Sequence, residues 1–596
     1  MIRSVLLLIV MCTGVAQATA QAIYAENQIP ARGVEIEYEV TLRNPVSHIY
    51  DVEMAVRGMR QEAVEVAMPA WSPGAYRIAD HAKNVQDFRA ATQRGQPLKW
   101  EKTDKQTWRI AKQPADEVQI RYQVFSAQLT DEMADLAGPA TFMYVAGQKH
   151  VPVRVKYNAP SGWKVHTGLG RNGDWYHASD YDILADAPAF IGDFKVLEFE
   201  AAGVPHRIVF SKRDMSMSEQ QVEADVKDIV DATISIFGKV PYDQYVFLIK
   251  VLPQPGSGGL EHLNSTRITI GENDLVNQGG YRRFLFVVAH EFFHLWNVKR
   301  IRPAGLGPFD YTKEVYTKML WMSEGFADYY ANLLLTRAGI MIPEEFYGFV
   351  GSEINTLQHQ PGRLQMSAEE ASWNAWLTSE NATNNGISYY NKGQLIGMLL
   401  DLEIRGRTAS RKSLDDVMRY LMQNYGEKGI AFTEDGFLKS LESVAGSDFA
   451  EFVQITAGSR QELDYNRYLR HAGLQLDVSR QPSSLYVGIE YDRNDAGLAR
   501  VRRVVPNSPA ERAKVDAGDV LTAMNDERLT FDNFRGRLLS HSINEKVRLT
   551  VLRGERLLNL EITLVEFQDQ RWGMMPIQNA TTAQIELRNL WLGIKK

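Results

Sequence analysis

The sequence predicts a multidomain α+β protein, on three observations. The chain has 596 residues, too many for a single hydrophobic core. Its patterning changes twice, from short alternating runs to helical periods near residue 204 and back to short strands near residue 484. Its composition, 44% hydrophobic and 23% charged, is that of ordinary folded domains. The expected order is a targeting segment at 1–22, an antiparallel β domain at 23–203, a mainly α domain at 204–478, a small mixed domain at 479–566 and a tail at 567–596. A net charge of −7 with no long basic run argues against nucleic acid as a partner.

The first 22 residues read as an export signal. Arg3 is followed by an apolar run, Val5–Val10, and then by Ala16, Ala18, Ala20 and Ala22. Cleavage after Ala20 or Ala22 fits the small-residue rule, and the run is too short to span a bilayer. An uncleaved anchor is the alternative. The single cysteine, Cys12, lies in this segment, so the mature chain has neither disulfide nor thiolate ligand. Export implies the periplasm or secretion, with no stable membrane span once the signal is removed.

In the β domain, Val34–Val40 alternates apolar and polar residues, the period of a half-buried strand. Similar runs recur at Ala63–Met68, Val118–Val124, Val151–Tyr157 and Phe194–Phe199, with turn clusters between them. Trp71-Ser-Pro-Gly-Ala-Tyr76 interrupts the pattern and reads as a packed turn in preference to a substrate contact.

The middle domain opens with a helix at Ser218–Phe237 and an apolar strand at Tyr245–Val251. Pro253–Gly259 reads as a break before Leu260-Glu261-His262. The next helix, Tyr281–Val298, is apolar nearly all round except for His290, Glu291 and His294. Residues four apart stack on one helical face, so both imidazoles can grip one ion while Glu291 reaches a ligand on it. This H-E-x-x-H spacing is the signature of zinc peptidases. Two satisfied core histidines are the bland alternative, but three buried polar groups are costly without a partner.

Zinc needs a third protein ligand and an open position. With no thiol in the mature chain, Glu324 is the candidate, on the next helix at Tyr316–Ala338. Gly325 beside it lets two helices approach, and Asp328 one turn on can accept the free N–H of a ligating histidine. Further helices are expected at Glu344–Leu357, Gly393–Ile404, Ser413–Asn424 and Glu434–Val444. In the small domain, strands at Leu485–Glu490 and Arg500–Val505, a helix at Phe531–His541 and a hairpin around Gly554 accompany "SPA" and "AGDVL" turns. That spacing resembles a PDZ domain. The tail is weak, with a final helix expected at Ile585–Leu592.

Together "HEFFH", "WNVKRIRP", "EGFADYY", "GGLEH", "YYNKG" and "WSPGAY" resemble the glycyl aminopeptidase family of zinc metallopeptidases, gluzincins like thermolysin. The resemblance covers nearly the whole mature chain. It implies a thermolysin-like, mainly α catalytic domain between an N-terminal β domain and a C-terminal PDZ domain. It implies one zinc ion on His290, His294 and Glu324, with Glu291 as the base toward water and then the acid toward the leaving amine. Tyr390 would stabilise the oxyanion, with adjacent Tyr389 as its rival. Glu261 would hold the substrate's α-ammonium, and Gly259 beside it would admit the peptide backbone. One departure stands: 29 residues separate His294 from Glu324, more than in the better-known aminopeptidases of the clan. The loop with Gly305, Gly307 and Pro308 is therefore unplaced.

The expected activity is release of N-terminal residues from short peptides, with small first residues expected from the family alone. A PDZ-assisted endopeptidase and a binding protein with a vestigial zinc site are the rival readings. At the PDZ domain a peptide C-terminus is the implied ligand. Tyr486-Val-Gly488-Ile489 matches the carboxylate loop only approximately, and a structural role stands beside ligand capture.

Overall fold

The computed structural model describes residues 33–594, apart from 215, 217, 255, 378, 380, 481–483 and 568–569. The expected export segment lies outside the described residues.

The N-terminal domain is built on a seven-stranded sheet. Ile36, Tyr38 and Val40 of the strand Glu35–Thr41 point into its core, as the alternation requires. The sheet is antiparallel except at one pair, where Glu35–Thr41 runs parallel to Val153–Asn158. Four- and three-stranded sheets complete the domain.

The strand Lys195–Ala201, expected in this domain, instead edges the next sheet by pairing with Val204–Phe210. That sheet has five strands, ordered Lys195–Ala201, Val204–Phe210, Tyr245–Leu252, Ser265–Gly271 and Ser257–Glu261. The stretch read as a break therefore ends in a strand: Ser257–Glu261 pairs antiparallel with Ser265–Gly271. Pairing supplies the order that its glycine-rich sequence does not.

The helix Gln278–His294, the histidine helix, starts where the Asn277 side chain accepts the N–H of Gly280 at 2.6 Å. Phe284, Leu285, Val288, Phe292 and Phe293 bury it in the core. The glutamate helix, Leu320–Arg337, is buried along almost its whole length. The tyrosine helix, Tyr389–Thr408, crosses it at Gly325 and Gly393. A Cβ on Gly325 would lie 2.4 Å from the backbone of Gly393, so only glycine allows the two helices this close. The crossing brings the start of the tyrosine helix to the turn that carries Glu324.

The loop between the two metal-helix candidates folds against the N-terminal domain. Phe309 and Tyr311 join that domain's core. The N–H of Ala70 donates to Tyr311 O at 2.8 Å, and Trp71 Nε1 donates to Asp310 O at 3.0 Å. Beneath it, Asp186 Oδ1 meets Lys299 Nζ at 2.6 Å and His262 Nδ1 at 3.2 Å, and Asp186 Oδ2 accepts the N–H of Leu263 at 2.7 Å. The extra length of this loop joins the two domains.

The small C-terminal domain has the expected strands and helix, Phe531–Leu539, around its own core. It is flanked by two strands that pair with each other, Leu474–Arg480 and Gln570–Pro576. Beyond them the expected tail is folded back: helix Thr582–Leu592 packs on the catalytic core. Trp591 is fully buried there. Its Nε1 donates to Tyr329 Oη at 2.7 Å, and Tyr329 donates in turn to Asp401 Oδ2 at 2.7 Å. Arg337 donates to Trp591 O at 3.1 Å. The small domain is thus an insertion in the catalytic body, whose core closes only when the last helix returns.

Replacing Trp591 with Ala leaves a cavity and removes the donor to the Tyr329 hydroxyl oxygen, which keeps only its bond to Asp401. It should destabilise the catalytic body by about 3–5 kcal/mol in urea denaturation. A loss below about 1 kcal/mol would show that the last helix is peripheral.

Candidate metal centre and cleft

The histidine helix places His290 and His294 on one face, and the glutamate helix brings Glu324 against them. His290 Nε2 and His294 Nε2 are 2.9 Å apart. Glu324 Oε2 lies 3.1 Å from His294 Nε2 and 3.7 Å from His290 Nε2. All three side chains are buried.

The other ring nitrogens decide the tautomers. His294 Nδ1 lies 2.6 Å from Asn297 O, which can only accept. His290 Nδ1 lies 2.8 Å from Asp328 Oδ1, a close contact that is not well aligned. Both Nδ1 atoms therefore carry protons, and in the neutral rings both Nε2 lone pairs point at Glu324 and at each other. Three converging acceptors repel unless a positive charge sits among them. Zinc bonds of about 2.0–2.2 Å set tetrahedral ligands about 3.3–3.6 Å apart. The observed 2.9–3.7 Å spacings bracket that range. The residues fit the ion.

The local field agrees. Burial opposes charging of His290, yet Asp328 and Glu324 raise its pKa well above the ordinary value. Burial likewise opposes His294, and Glu324 raises it. The pocket stabilises positive charge at the place where the three atoms meet.

Asn297 was not singled out in the sequence. Its carbonyl orients His294, while its side-chain N–H groups donate to Ser323 O at 3.0 Å and Met322 O at 3.3 Å. One residue thus sets the ring of His294 and pins the turn before Glu324.

Glu291 is buried beside the imidazoles, and its Oε2 has no hydrogen-bond partner among the described residues. Burial pushes its pKa up to about 7; the imidazoles oppose this, and Glu261 and Glu324 add to it. Gly259 lies directly against it, since a Cβ there would be 2.1 Å from Glu291 Oε1. Atoms of Glu261, Glu291 and His294 fall within 4.8 Å of one another. The edge strand thus carries Glu261 to the same point as the histidine helix.

Tyr390 stands at the start of the tyrosine helix, its ring 6.2 Å from that of His290 and nearly parallel to it. Its neighbour Tyr389 stacks on it at 4.9 Å, and the Glu324 carboxylate acts on both hydroxyls. Both tyrosines therefore reach the centre.

The Trp71–Tyr76 turn does more than pack. Trp71 is buried against Phe309 and Trp376. Gly74, however, lies against Glu261: a Cβ there would be 2.9 Å from Glu261 Oε2. Tyr76 has φ of +42°, a left-handed conformation that costs a bulky residue roughly 1–3 kcal/mol. Burial, and then the Glu324 carboxylate, raise the pKa values of Tyr76, Tyr389 and Tyr390. All three remain proton donors at neutral pH. The packed-turn reading missed this placement because the turn meets the centre across about 190 residues of chain.

Residues 37–193 match the peptidase M61 N-terminal domain, 283–396 the M61 glycyl aminopeptidase model and 485–564 a PDZ domain. The crystal structure of an aminopeptidase N family protein from Idiomarina loihiensis is similar over 94% of this chain and 100% of its own. Its TM-score is 0.86 at 28% identity. Looser likenesses are a two-domain M1 zinc metallopeptidase bound to L-tryptophan and yeast LTA4 hydrolase in complex with bestatin. The first has 14% identity and a TM-score of 0.45, covering 73% of this chain and 96% of its own. The second has 11% identity and a TM-score of 0.47, covering 74% and 70%. No curated protein matches significantly.

Asp328→Ala should weaken zinc binding about 10–100-fold, measured by competition with a chromogenic chelator. Unchanged affinity would remove Asp328 from the centre.

Proposed function

Because the chain belongs to the M61 glycyl aminopeptidase family and is a zinc metallopeptidase, we propose that it releases single residues from the free N-terminus of peptides. The observation that carries this reading is the position of Glu261. Its carboxylate lies beside Glu291 and is backed by the Gly74 turn. A substrate can extend past the reacting carbonyl on one side only, and a carboxylate closes the other side. A buried carboxylate there suits an α-ammonium group and disfavours a continuing chain.

His290, His294 and Glu324 would hold one zinc ion per chain. When bound, the ion supplies Lewis-acid activation of the scissile carbonyl and of water. Asp328 and Asn297 O keep the Nδ1 protons in place, so both Nε2 lone pairs stay available. Glu291 takes the proton from the attacking water and returns it to the leaving amine; a carboxyl group poised near 7 can do both at neutral pH. Tyr390 donates its hydroxyl proton to the carbonyl oxygen as negative charge develops there. Small first residues are expected from the family. The PDZ domain would accept an extended peptide along Ile489–Arg493, the end strand of its sheet. No helix among the described residues is long and apolar enough to cross a membrane. Export to the periplasm or the medium follows from the leader reading at residues 1–22.

Glu291→Gln should retain zinc and lose several orders of magnitude in kcat; a variant that keeps zinc and full turnover would contradict the mechanism. A free peptide should be hydrolysed and its N-acetylated form spared, read by mass spectrometry of the products. Efficient cleavage inside the acetylated peptide would establish an endopeptidase instead.

A further inference from the structure

The segment after the histidine helix carries three cations, and two of them are occupied by the fold. Lys299 is paired with Asp186. Arg300 donates to Leu295 O at 2.8 Å, Pro241 O at 2.8 Å and Leu263 O at 3.2 Å, and so supports three stretches of backbone. Arg302 differs. Among the described residues its guanidinium has no carboxylate, carbonyl or aromatic partner.

Its backbone is nevertheless held firmly. The N–H of Phe432 donates to Arg302 O at 2.9 Å, and the N–H of Ala304 donates to Phe432 O at 2.7 Å. The loop then curls over the side chain. A Cβ at Gly307 would lie 2.6 Å from Arg302 Nη1, so the loop leaves room for the guanidinium and nothing larger. Arg302 is half-buried and lines a cleft of about 380 Å³ together with Glu261, Lys299, Tyr76, Leu306 and Phe309. Of the charged groups in that cleft, Glu261 is assigned to the ammonium and Lys299 is neutralised. Arg302 is left as an unpaired cation in a partly dry, aromatic-walled space, where a carboxylate gains most from charge-assisted hydrogen bonds.

We propose that Arg302 is the receptor for a carboxylate on the substrate's first side chain, so that the enzyme favours peptides beginning with Asp or Glu over their amides. This rests on the reading of Glu261 as the ammonium anchor. With the ammonium at Glu261 and the reacting carbonyl at the metal centre, the cleft beyond Glu261 is the space left for the first side chain. Small side chains enter too, but leave the guanidinium without a partner.

The test compares kcat/KM for C-terminally amidated pentapeptides that differ only in the first residue: Asp, Asn, Glu, Gln or Ala. In the wild type one acidic residue should exceed its amide about tenfold or more. In Arg302→Gln that ratio should fall to about one, with Arg302→Lys intermediate because a point charge replaces the fork. Calorimetry with free L-aspartate and L-asparagine gives a readout independent of turnover, and the aspartate preference should vanish with the same substitution. A wild-type ratio near one, or a ratio that survives Arg302→Gln in folded protein, overturns the proposal. So does a gain that follows a free C-terminal carboxylate on a control peptide instead of the first side chain. Cleavage of the Ala peptide with a free but not an acetylated amine tests the aminopeptidase reading separately.

Discussion

Three polar atoms that could each bind a metal ion meet inside this protein, where only a proton or a metal ion between them relieves their repulsion. His290 Nε2, His294 Nε2 and Glu324 Oε2 converge to within 2.9–3.7 Å because both imidazoles spend their protons on the far side, toward Asp328 and Asn297 O. Such an arrangement is unfavourable in a buried site unless a cation occupies it. The surrounding fold supplies what holds it: an apolar histidine helix, a glutamate helix pinned by Asn297, and a glycine crossing that admits the tyrosine helix. Each device brings one polar group to a point that the hydrophobic core would otherwise exclude.

The cleft in front of that point is shared between domains. The edge strand contributes Glu261, the N-terminal domain contributes the Gly74–Tyr76 turn, and the long loop after His294 contributes Arg302 and Phe309. The Asp186–Lys299–His262 cluster and the Trp71–Asp310 hydrogen bond tie these pieces together. The cleft therefore depends on how two domains are joined, whereas His290, His294 and Glu324 lie within one. The PDZ domain is remote from this arrangement in chain order yet is carried by it, since the chain leaves and re-enters the catalytic body on paired strands.

What could be read from the sequence was what repeats locally. The His290–His294 spacing, the Glu324–Gly325 pair and the β and α textures follow from helical and strand periods. Gly325 was legible as a close approach, though its partner Gly393 was not. The misplacements have a common cause. Lys195–Ala201 alternates like any half-buried strand, and nothing in its own residues says which sheet it joins. Ser257–Glu261 looks like a loop because its glycines lack side chains to pack, and only pairing with Ser265–Gly271 makes it a strand. The last helix has a modest apolar face, and its fit to Tyr329 and Arg337 lies about 260 residues away in sequence. Asn297, Tyr76 and Arg302 lie inside quoted motifs, but nothing local to them says what their side chains meet.

The central claim is that one zinc ion resolves the clash of the three acceptors. Crystals of the metal-loaded protein, with diffraction recorded just above and just below the zinc absorption edge, test it most directly. The account predicts a single strong anomalous peak bounded by His290 Nε2, His294 Nε2 and a Glu324 carboxylate oxygen, absent below the edge. Zinc bound elsewhere, or a centre left empty while Glu324 turns away from the histidines, would contradict it.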